Sequence, residues 1–175
     1  MKKQLLIIVF FCLISVHGLT QENPLEKFDL LIGHWEGNGE GFSSNKSKIQ
    51  SEFNWIMNKQ FIEVKNHSEF DPTEAKPESE VHKDWGIISF DKARKKIVFR
   101  QFHIEGFVNQ YILNDTLSSE KSFVFESEII ENFVPGGKAR FTIQIHSNSE
   151  IETLFDVGFP GKEMACFGRN LLKKN

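Results

Sequence analysis

Residues 33–41 read GHWEGNGEG, and this stretch determines how the rest of the chain is interpreted. After the tryptophan, Trp35, glycine recurs at Gly37, Gly39 and Gly41. Alternate residues of an extended chain face the same side, so these three glycines would share one face of a strand. Glycine there removes side-chain bulk, which lets the strand coil sharply or lets another backbone approach closely. The stretch therefore predicts the first strand of a closed antiparallel barrel.

The N-terminus has the pattern of an export signal. Two lysines are followed by an apolar run over residues 5–16 and by the small residue Gly18. A charged region, an apolar core and a small residue at the cleavage position are typical of a secretory signal peptide. The run is shorter than the ~20 residues that a membrane helix needs. We expect residues 1–18 to be removed, which leaves one domain, residues 19–175, that is secreted or periplasmic and has no membrane span.

The composition excludes several functional classes. The chain has 21 basic and 24 acidic residues, for a formal net charge of −3, so no basic excess points to nucleic acid. Cleavage of the predicted signal would leave Cys166 as the one cysteine, which excludes an intramolecular disulfide and a cysteine-rich metal site. Stability must then come from burial of apolar side chains, and the 18 phenylalanines supply the material.

A short helix is predicted ahead of the glycine-rich stretch. Asn23 suits a helix cap and Pro24 the first helical position. Apolar residues such as Phe28 follow at helical spacing, and Gly33 ends the pattern. We expect this helix to plug one end of the barrel.

The remainder of the chain consists of short alternating segments separated by turn-forming residues. The predicted strands after the first are residues 47–57, 60–70, 82–90, 96–104, 107–113, 122–133, 139–146, 151–157 and 163–172. Residues 71–80 contain prolines and charges and are predicted to form a loop. The pattern predicts an all-β fold, an antiparallel up-and-down barrel of about ten strands, in one domain. A two-sheet sandwich is the alternative, and the barrel is favoured because closure removes exposed strand edges.

Two motifs carry a resemblance to a known family. Residues 33–41 resemble the G-x-W-x-G-x-G-x-G opening of nitrobindin-like proteins, which belong to the calycin superfamily with the fatty-acid-binding proteins and lipocalins. Residues 82–88, HKDWGII, are similar to the family's H-x-E-x-G-aromatic strand, with Asp84 in place of Glu and Trp85 before Gly86. The resemblance implies a ten-stranded barrel whose cavity holds ferric haem and carries out nitric-oxide or peroxynitrite chemistry.

The haem ligand that the resemblance implies is a histidine in the last strand. Residues 163–172 contain no histidine, so His82 or His103 would have to replace it, with Met164 and Cys166 as other iron-binding side chains. We therefore expect no cofactor unless one of these residues binds haem. The resemblance also implies that a basic residue near the end of the last strand, here Arg169, packs over Trp35 as a cation–π pair.

Six side chains are candidates for ligand binding. His82 matches the second motif, and His103 lies mid-strand with Glu105 as a side chain that would orient it. An inward arginine holds the ligand carboxylate in fatty-acid-binding proteins, and Arg100 is the candidate for that role here. Aromatic residues are expected to line the pocket. The full candidate set is His82, Trp85, Arg100, His103, Tyr111 and Trp55.

No catalytic constellation appears in the sequence. G-x-S-x-G and H-E-x-x-H are both absent, and the carboxylates are scattered. A binding function is therefore favoured over catalysis. We expect an exported barrel whose cavity holds a small hydrophobic or amphipathic ligand, with no nucleic-acid partner. The alternatives are a haem protein of the nitrobindin type and a structural or interaction domain without a small ligand.

Overall fold

The computed structural model describes residues 23–41, 46–72, 74 and 77–175. This part of the chain forms ten strands and one short 3₁₀ helix, Glu26–Leu31. The strands are β1 Gly33–Gly41, β2 Lys46–Ile56, β3 Phe61–Phe70, β4 Glu80–Asp91, β5 Lys96–His103, β6 Val108–Leu113, β7 Ser122–Glu131, β8 Lys138–Ser147, β9 Glu150–Gly158 and β10 Ala165–Lys174. The predicted all-β fold is confirmed. The predicted signal peptide, residues 1–18, lies outside the described residues.

The ten strands form a closed antiparallel barrel. Each strand pairs with the next along the chain, and β1 pairs with β10 to close the cylinder. The barrel is therefore confirmed over the two-sheet sandwich. The predicted turn after β2 is also present, and Met57, Asn58 and Lys59 adopt positive φ angles of 48°, 55° and 59° there.

The glycines of β1 allow the closing strand to approach. Gly37 lies opposite Leu172 in the β1–β10 ladder. A Cβ added at Gly37 would lie 1.9 Å from the carbonyl oxygen of Leu171, a contact that any other residue would have to relieve by moving the backbone. At Gly39 the added Cβ would lie 2.2 Å from the Asn170 side-chain oxygen. Close backbone approach is thus the physical reason for glycine in this strand.

Large apolar side chains fill the end of the barrel that carries the helix. Phe28, on the helix, is fully buried, and its ring centroid lies 4.6 Å from that of Phe123 and 6.0 Å from that of Phe125. The expectation that the helix plugs one end is confirmed. The helix is shorter than predicted, because it begins at Glu26 rather than at Pro24.

Trp35 joins the helix to the barrel wall. Its indole Nε1 donates a hydrogen bond of 2.7 Å to the carbonyl oxygen of Leu31. The ammonium of Lys174 lies 5.2 Å from the Trp35 ring centroid and donates to the Leu30 carbonyl at 2.9 Å. A cation–π contact therefore exists at this tryptophan.

The cation over Trp35 is not the predicted one. Leu172, an even-numbered residue of β10, is fully buried in the interior, so its odd-numbered neighbours in that part of the strand face outward. Arg169 accordingly lies on the outer surface, where its Nε is 3.0 Å from a carboxylate oxygen of Glu152. The predicted Arg169–Trp35 pair is wrong, because the ladder places Arg169 opposite Glu40, towards the other end of β1.

Candidate functional site

A cavity of about 490 Å³ occupies the half of the barrel away from the helix. Its lining reaches three connections between strands, residues 104–107, 132–137 and 159–164. Phe159, in the last of these connections, lines the cavity and is 41% exposed. The cavity therefore opens to solvent at this rim.

The cavity exists because interior positions in this half of the barrel carry small or polar side chains. In the half that contains the helix, the same inward faces carry large fully buried residues such as Phe53, Phe99 and Phe125. Small or polar inward residues that line the cavity are Gly41, Ser68, Ala139, Thr153 and Asn170. Ten strands enclose more volume than such residues can fill, and the remainder is the cavity.

One side of the cavity is an aromatic wall, which we define as Phe107, Phe133, Phe159 and Phe167. Neighbouring rings in this wall are in contact, with centroid distances of 5.7 Å between Phe107 and Phe133 and 5.5 Å between Phe133 and Phe159. The Phe159 and Phe167 centroids are 6.2 Å apart. This wall suits the apolar part of a ligand.

A second group of lining residues forms a polar wall, which we define as Asp84, Gln101, His103 and Asn109. His103 Nδ1 lies 2.5 Å from Asp84 Oδ1, so the ring donates to the carboxylate. Asn109 Nδ2 lies 2.9 Å from His103 Nε2 and 2.8 Å from the Tyr111 hydroxyl oxygen. These contacts at both ring nitrogens fix the orientation of the imidazole.

Gln101 differs from the other members of the polar wall in its hydrogen bonding. It is 3% exposed, and it lines the cavity beside His103 on the inward face of β5. Its Oε1 accepts no hydrogen bond from any described residue. Buried side-chain acceptors are almost always paired, so an orphaned one is evidence of a missing partner.

His82 lies at the rim of the cavity between two carboxylates. Its Nδ1 contacts Glu105, and its Nε2 lies 3.2 Å from Glu80 Oε1. The ring of Phe70 lies edge-on to it at a centroid distance of 5.3 Å. The expectation that Glu105 orients His103 is wrong. Asp84 takes that role, because the β4–β5 register places Asp84 directly opposite His103.

The cavity lining is acidic. Four carboxylate side chains line it, Glu40, Glu80, Asp84 and Glu105. No lysine or arginine is present among the described residues that line it. A ligand in this cavity therefore meets both negatively charged side chains and aromatic rings.

Two predicted ligand-binding residues lie on the outside of the barrel. Trp85 is 44% exposed and donates from Nε1 to Glu63 at 2.9 Å. Arg100 donates from Nε to the Gln110 side chain at 3.0 Å. Inward residues of β4 are even-numbered and those of β5 odd-numbered, so both side chains face away from the cavity. The expectation that they line the pocket is wrong.

Trp55 and Tyr111 face the interior but lie outside the cavity. Trp55 is at the end of the barrel that carries the helix, where its Nε1 donates to Asp29 at 2.8 Å. Tyr111 is fully buried beneath the polar wall. Burial raises the pKa of its phenol far above the usual value, so the hydroxyl stays neutral. Of the six candidates, His82 and His103 line the cavity, and ligand binding by either one stays a prediction.

The six candidates from the sequence do not include Gln101, Asn109 or the aromatic wall. A signal for the first two was present. The inward residues of β5 read Phe99, Gln101 and His103, and polar residues on the apolar face of a strand indicate either a network or a site. The aromatic wall is formed mainly by residues in connections, where alternation gives no information.

Haem binding requires an iron ligand with an accessible lone pair. Both ring nitrogens of His103 and both of His82 are already engaged by neighbouring side chains. Cys166 is exposed and donates to the Gly168 carbonyl at 3.4 Å, and desolvation raises the pKa of its thiol, which disfavours the thiolate that iron would bind. In this arrangement His82 and His103 offer iron no free lone pair and the Cys166 thiolate is disfavoured, and haem binding stays a prediction.

The fold belongs to the class of closed ten-stranded antiparallel barrels, and solved structures share it. The structure of Rv2717c from M. tuberculosis superposes with a TM-score of 0.61 at 14% identity, covering 86% of this chain and 96% of that one. The S-type phycobiliprotein lyase CPES from Guillardia theta superposes with a TM-score of 0.53 at 10% identity, covering 89% and 94%. At these identities the likeness concerns the fold.

Sequence comparisons do not assign the chain to a family within this class. No family model matches the chain, and a search of curated proteins finds no match. Within the described residues, no helix is long and apolar enough to cross a membrane, and no group of three or more His, Cys, Asp or Glu side chains is arranged to hold a metal ion.

Proposed function

We propose that this protein binds a small amphipathic molecule in the barrel cavity. The observation that carries the proposal is the division of one cavity of about 490 Å³ into the aromatic wall and the polar wall. Ligand sites are typically concave and mainly apolar, with a few polar groups that fix orientation. The apolar body of the ligand would pack on the aromatic wall, and its polar group would meet Asp84, Gln101 and His103.

We also propose that the protein acts outside the cytoplasm, on the strength of the charged and apolar segments in residues 1–18. N-terminal sequencing of the protein from its own host tests the second proposal. An N-terminus near residue 19 is expected, and retention of Met1 contradicts export by signal cleavage.

Occupancy of the cavity is tested by filling it. A Cβ added at Gly168 meets only ordinary contact with Phe155, at 3.9 Å, and Phe155 lines the cavity. Gly168→Phe therefore places a ring in the cavity without a backbone clash. Leu171→Phe is the matched control, because Leu171 lies on the same strand and is 46% exposed.

The probe is the neutral fluorophore N-phenyl-1-naphthylamine, which brightens when it leaves water. We expect saturable binding to the unmodified protein and to Leu171→Phe, and a loss of affinity on the order of tenfold or more in Gly168→Phe. Circular dichroism checks that each variant folds, and Ala139→Phe repeats the test from β8. Equal binding by the two cavity variants and the control would contradict a ligand site inside the barrel.

A further inference from the structure

The lining of the cavity distinguishes between classes of amphipathic ligand. Four carboxylate side chains line it, and no described lining residue is a lysine or an arginine. Coulomb interactions are several times stronger in a partly desolvated cavity than in bulk water. An anionic head group would be repelled there without a cation to receive it, whereas a cationic head group would be attracted.

The two histidines do not reverse this balance. His103 Nδ1 lies against the Asp84 carboxylate, and protonation of this ring would add one positive charge to the lining. His82 lies between Glu80 and Glu105, and one protonated ring there would face two carboxylates. Even with both rings protonated, two positive charges would be outnumbered by the four carboxylates of the lining.

A second and independent observation is the unpartnered acceptor. Gln101 is 3% exposed, lines the cavity, and its Oε1 accepts no hydrogen bond from any described residue. A half-turn of the terminal amide exchanges its oxygen and nitrogen, so the acceptor can be presented to a ligand. After that half-turn, a ligand that donates a hydrogen bond would give the Gln101 oxygen the partner that it lacks.

The acceptor and the nearest carboxylate are close enough for one head group. Asp84 pairs with His103 across the β4–β5 ladder, and Gln101 pairs with Gly86 two positions along. Diagonal neighbours in an antiparallel pair lie about 7–8 Å apart, which long side chains span. An ammonium group carries three donors and can therefore meet both side chains at once.

We infer that the ligand is a cationic amphiphile, with a protonated amine against Asp84 and Gln101 and an apolar body against the aromatic wall. The inference rests on the proposed function and specifies its ligand class. It also separates this barrel from a fatty-acid carrier, because Arg100, the expected partner of a carboxylate, lies on the outer surface.

Three small ligands with one apolar body test the inference. They are 2-(1-naphthyl)ethylamine, 2-(1-naphthyl)ethanol and 1-naphthylacetate, whose head groups at neutral pH are cationic, neutral and anionic. Dissociation constants are measured by titration calorimetry or by displacement of N-phenyl-1-naphthylamine. We expect the amine to bind on the order of tenfold more tightly than the alcohol, since charge-assisted hydrogen bonds are about twice as strong as neutral ones. The carboxylate is expected to bind most weakly.

The outcomes separate the inference from the function on which it rests. Binding of the alcohol reports on the cavity alone. If the alcohol binds and the amine binds no more tightly, the inference is overturned and the proposed function stands. If the carboxylate binds most tightly, the inference is likewise overturned. If none of the three binds, the proposed function fails with it.

Variants identify the groups that give the preference. Asp84→Asn removes a charge but keeps an oxygen that accepts from His103 Nδ1, and Glu69→Gln, on the exposed face of β3, is the matched control. We expect Asp84→Asn to reduce the amine-to-alcohol affinity ratio on the order of tenfold and Glu69→Gln to leave it unchanged. Gln101→Met should weaken the binding of both the amine and the alcohol and leave the ratio of their affinities nearly unchanged. An unchanged ratio in Asp84→Asn contradicts the placement of the amine.

Discussion

Replacing Gln101 with methionine should raise the stability of the barrel while weakening ligand binding. Gln101 is 3% exposed, and its Oε1 has no hydrogen-bond donor among the described residues. A buried acceptor left without a partner costs about 1–3 kcal/mol, the desolvation penalty of the group. Methionine has a similar unbranched shape and carries no such penalty. The free energy of unfolding of the ligand-free protein should therefore rise by about 1–3 kcal/mol.

The matched control is Asn109→Leu, at the position that pairs with Gln101 across the β5–β6 ladder. Asn109 is equally buried, at 3% exposure, but its amide donates to both His103 and Tyr111. Leucine keeps the branching of asparagine and removes both donors, which leaves two groups unpaired. We expect this variant to lower the free energy of unfolding by about 1–3 kcal/mol, whereas Gln101→Met on the neighbouring strand should raise it.

Urea unfolding, followed by tryptophan fluorescence, measures both variants. A change of 1–3 kcal/mol moves the midpoint by roughly 0.5–1.5 M, for a slope of about 2 kcal/mol per M. The reasoning is refuted if Gln101→Met lowers the midpoint as Asn109→Leu does. That result would mean that Oε1 receives a donor in the ligand-free protein, and the inference about the ligand would lose one of its two supports.

Gly37→Ala should cost about 3 kcal/mol or more in the same assay, because its Cβ would lie 1.9 Å from a carbonyl oxygen of β10. Gly106→Ala, at φ 90° with no atom within 4 Å, should cost only about 1–2 kcal/mol, and equal costs would contradict the clash. Lys174→Met should lower the free energy of unfolding by about 1–2 kcal/mol, because it removes the cation over Trp35. Arg169→Met, on the outer surface, should change it by no more than about 0.5 kcal/mol. Glu126→Gln should make the free energy of unfolding fall less steeply as the pH decreases. An arginine hydrogen bond lowers the Glu126 pKa below 4.5, so the stabilisation is present above that pH and is lost as pH falls through the folded-state pKa. The change in the free energy of unfolding should stay below about 1 kcal/mol. Urea midpoints that fall with decreasing pH in the same way for the variant and the unmodified protein would contradict it.

The fold was predictable because each signal for it is local. Alternation of apolar residues, turn-forming pairs and the glycines of residues 33–41 each report on a few neighbouring residues. The contact over Trp35 was not predictable in the same way. Its partner depends on the register of β1 with β10, which places Lys174 opposite Trp35 and Arg169 opposite Glu40. A one-residue shift exchanges the two faces of a strand, and no local signal locates that shift.

The pairing of Asp84 with His103 lies between these two cases. The sequence already predicted a turn over residues 91–95, and the observed ladder places Asp91 opposite Lys96. Counting back from that pair along both strands leads to Asp84 opposite His103. Because turn length sets register in a hairpin, the partner of His103 could have been derived. The hydrogen bond from Asn109 depends on a further strand and on its own register.

The distribution of polar residues in the barrel interior is itself an argument for a ligand. If the interior only had to be filled, apolar side chains would serve throughout, because each buried polar group needs a partner. In the half that carries the helix, the described interior is indeed packed with residues such as Phe28, Phe53 and Phe125. The polar side chains that line the cavity lie in the other half. There Asn109 lines the cavity and donates a hydrogen bond to the hydroxyl of the buried Tyr111. That network leaves the Gln101 oxygen without a partner, and a half-turn of its amide would present an acceptor to a donor with an apolar body in the cavity.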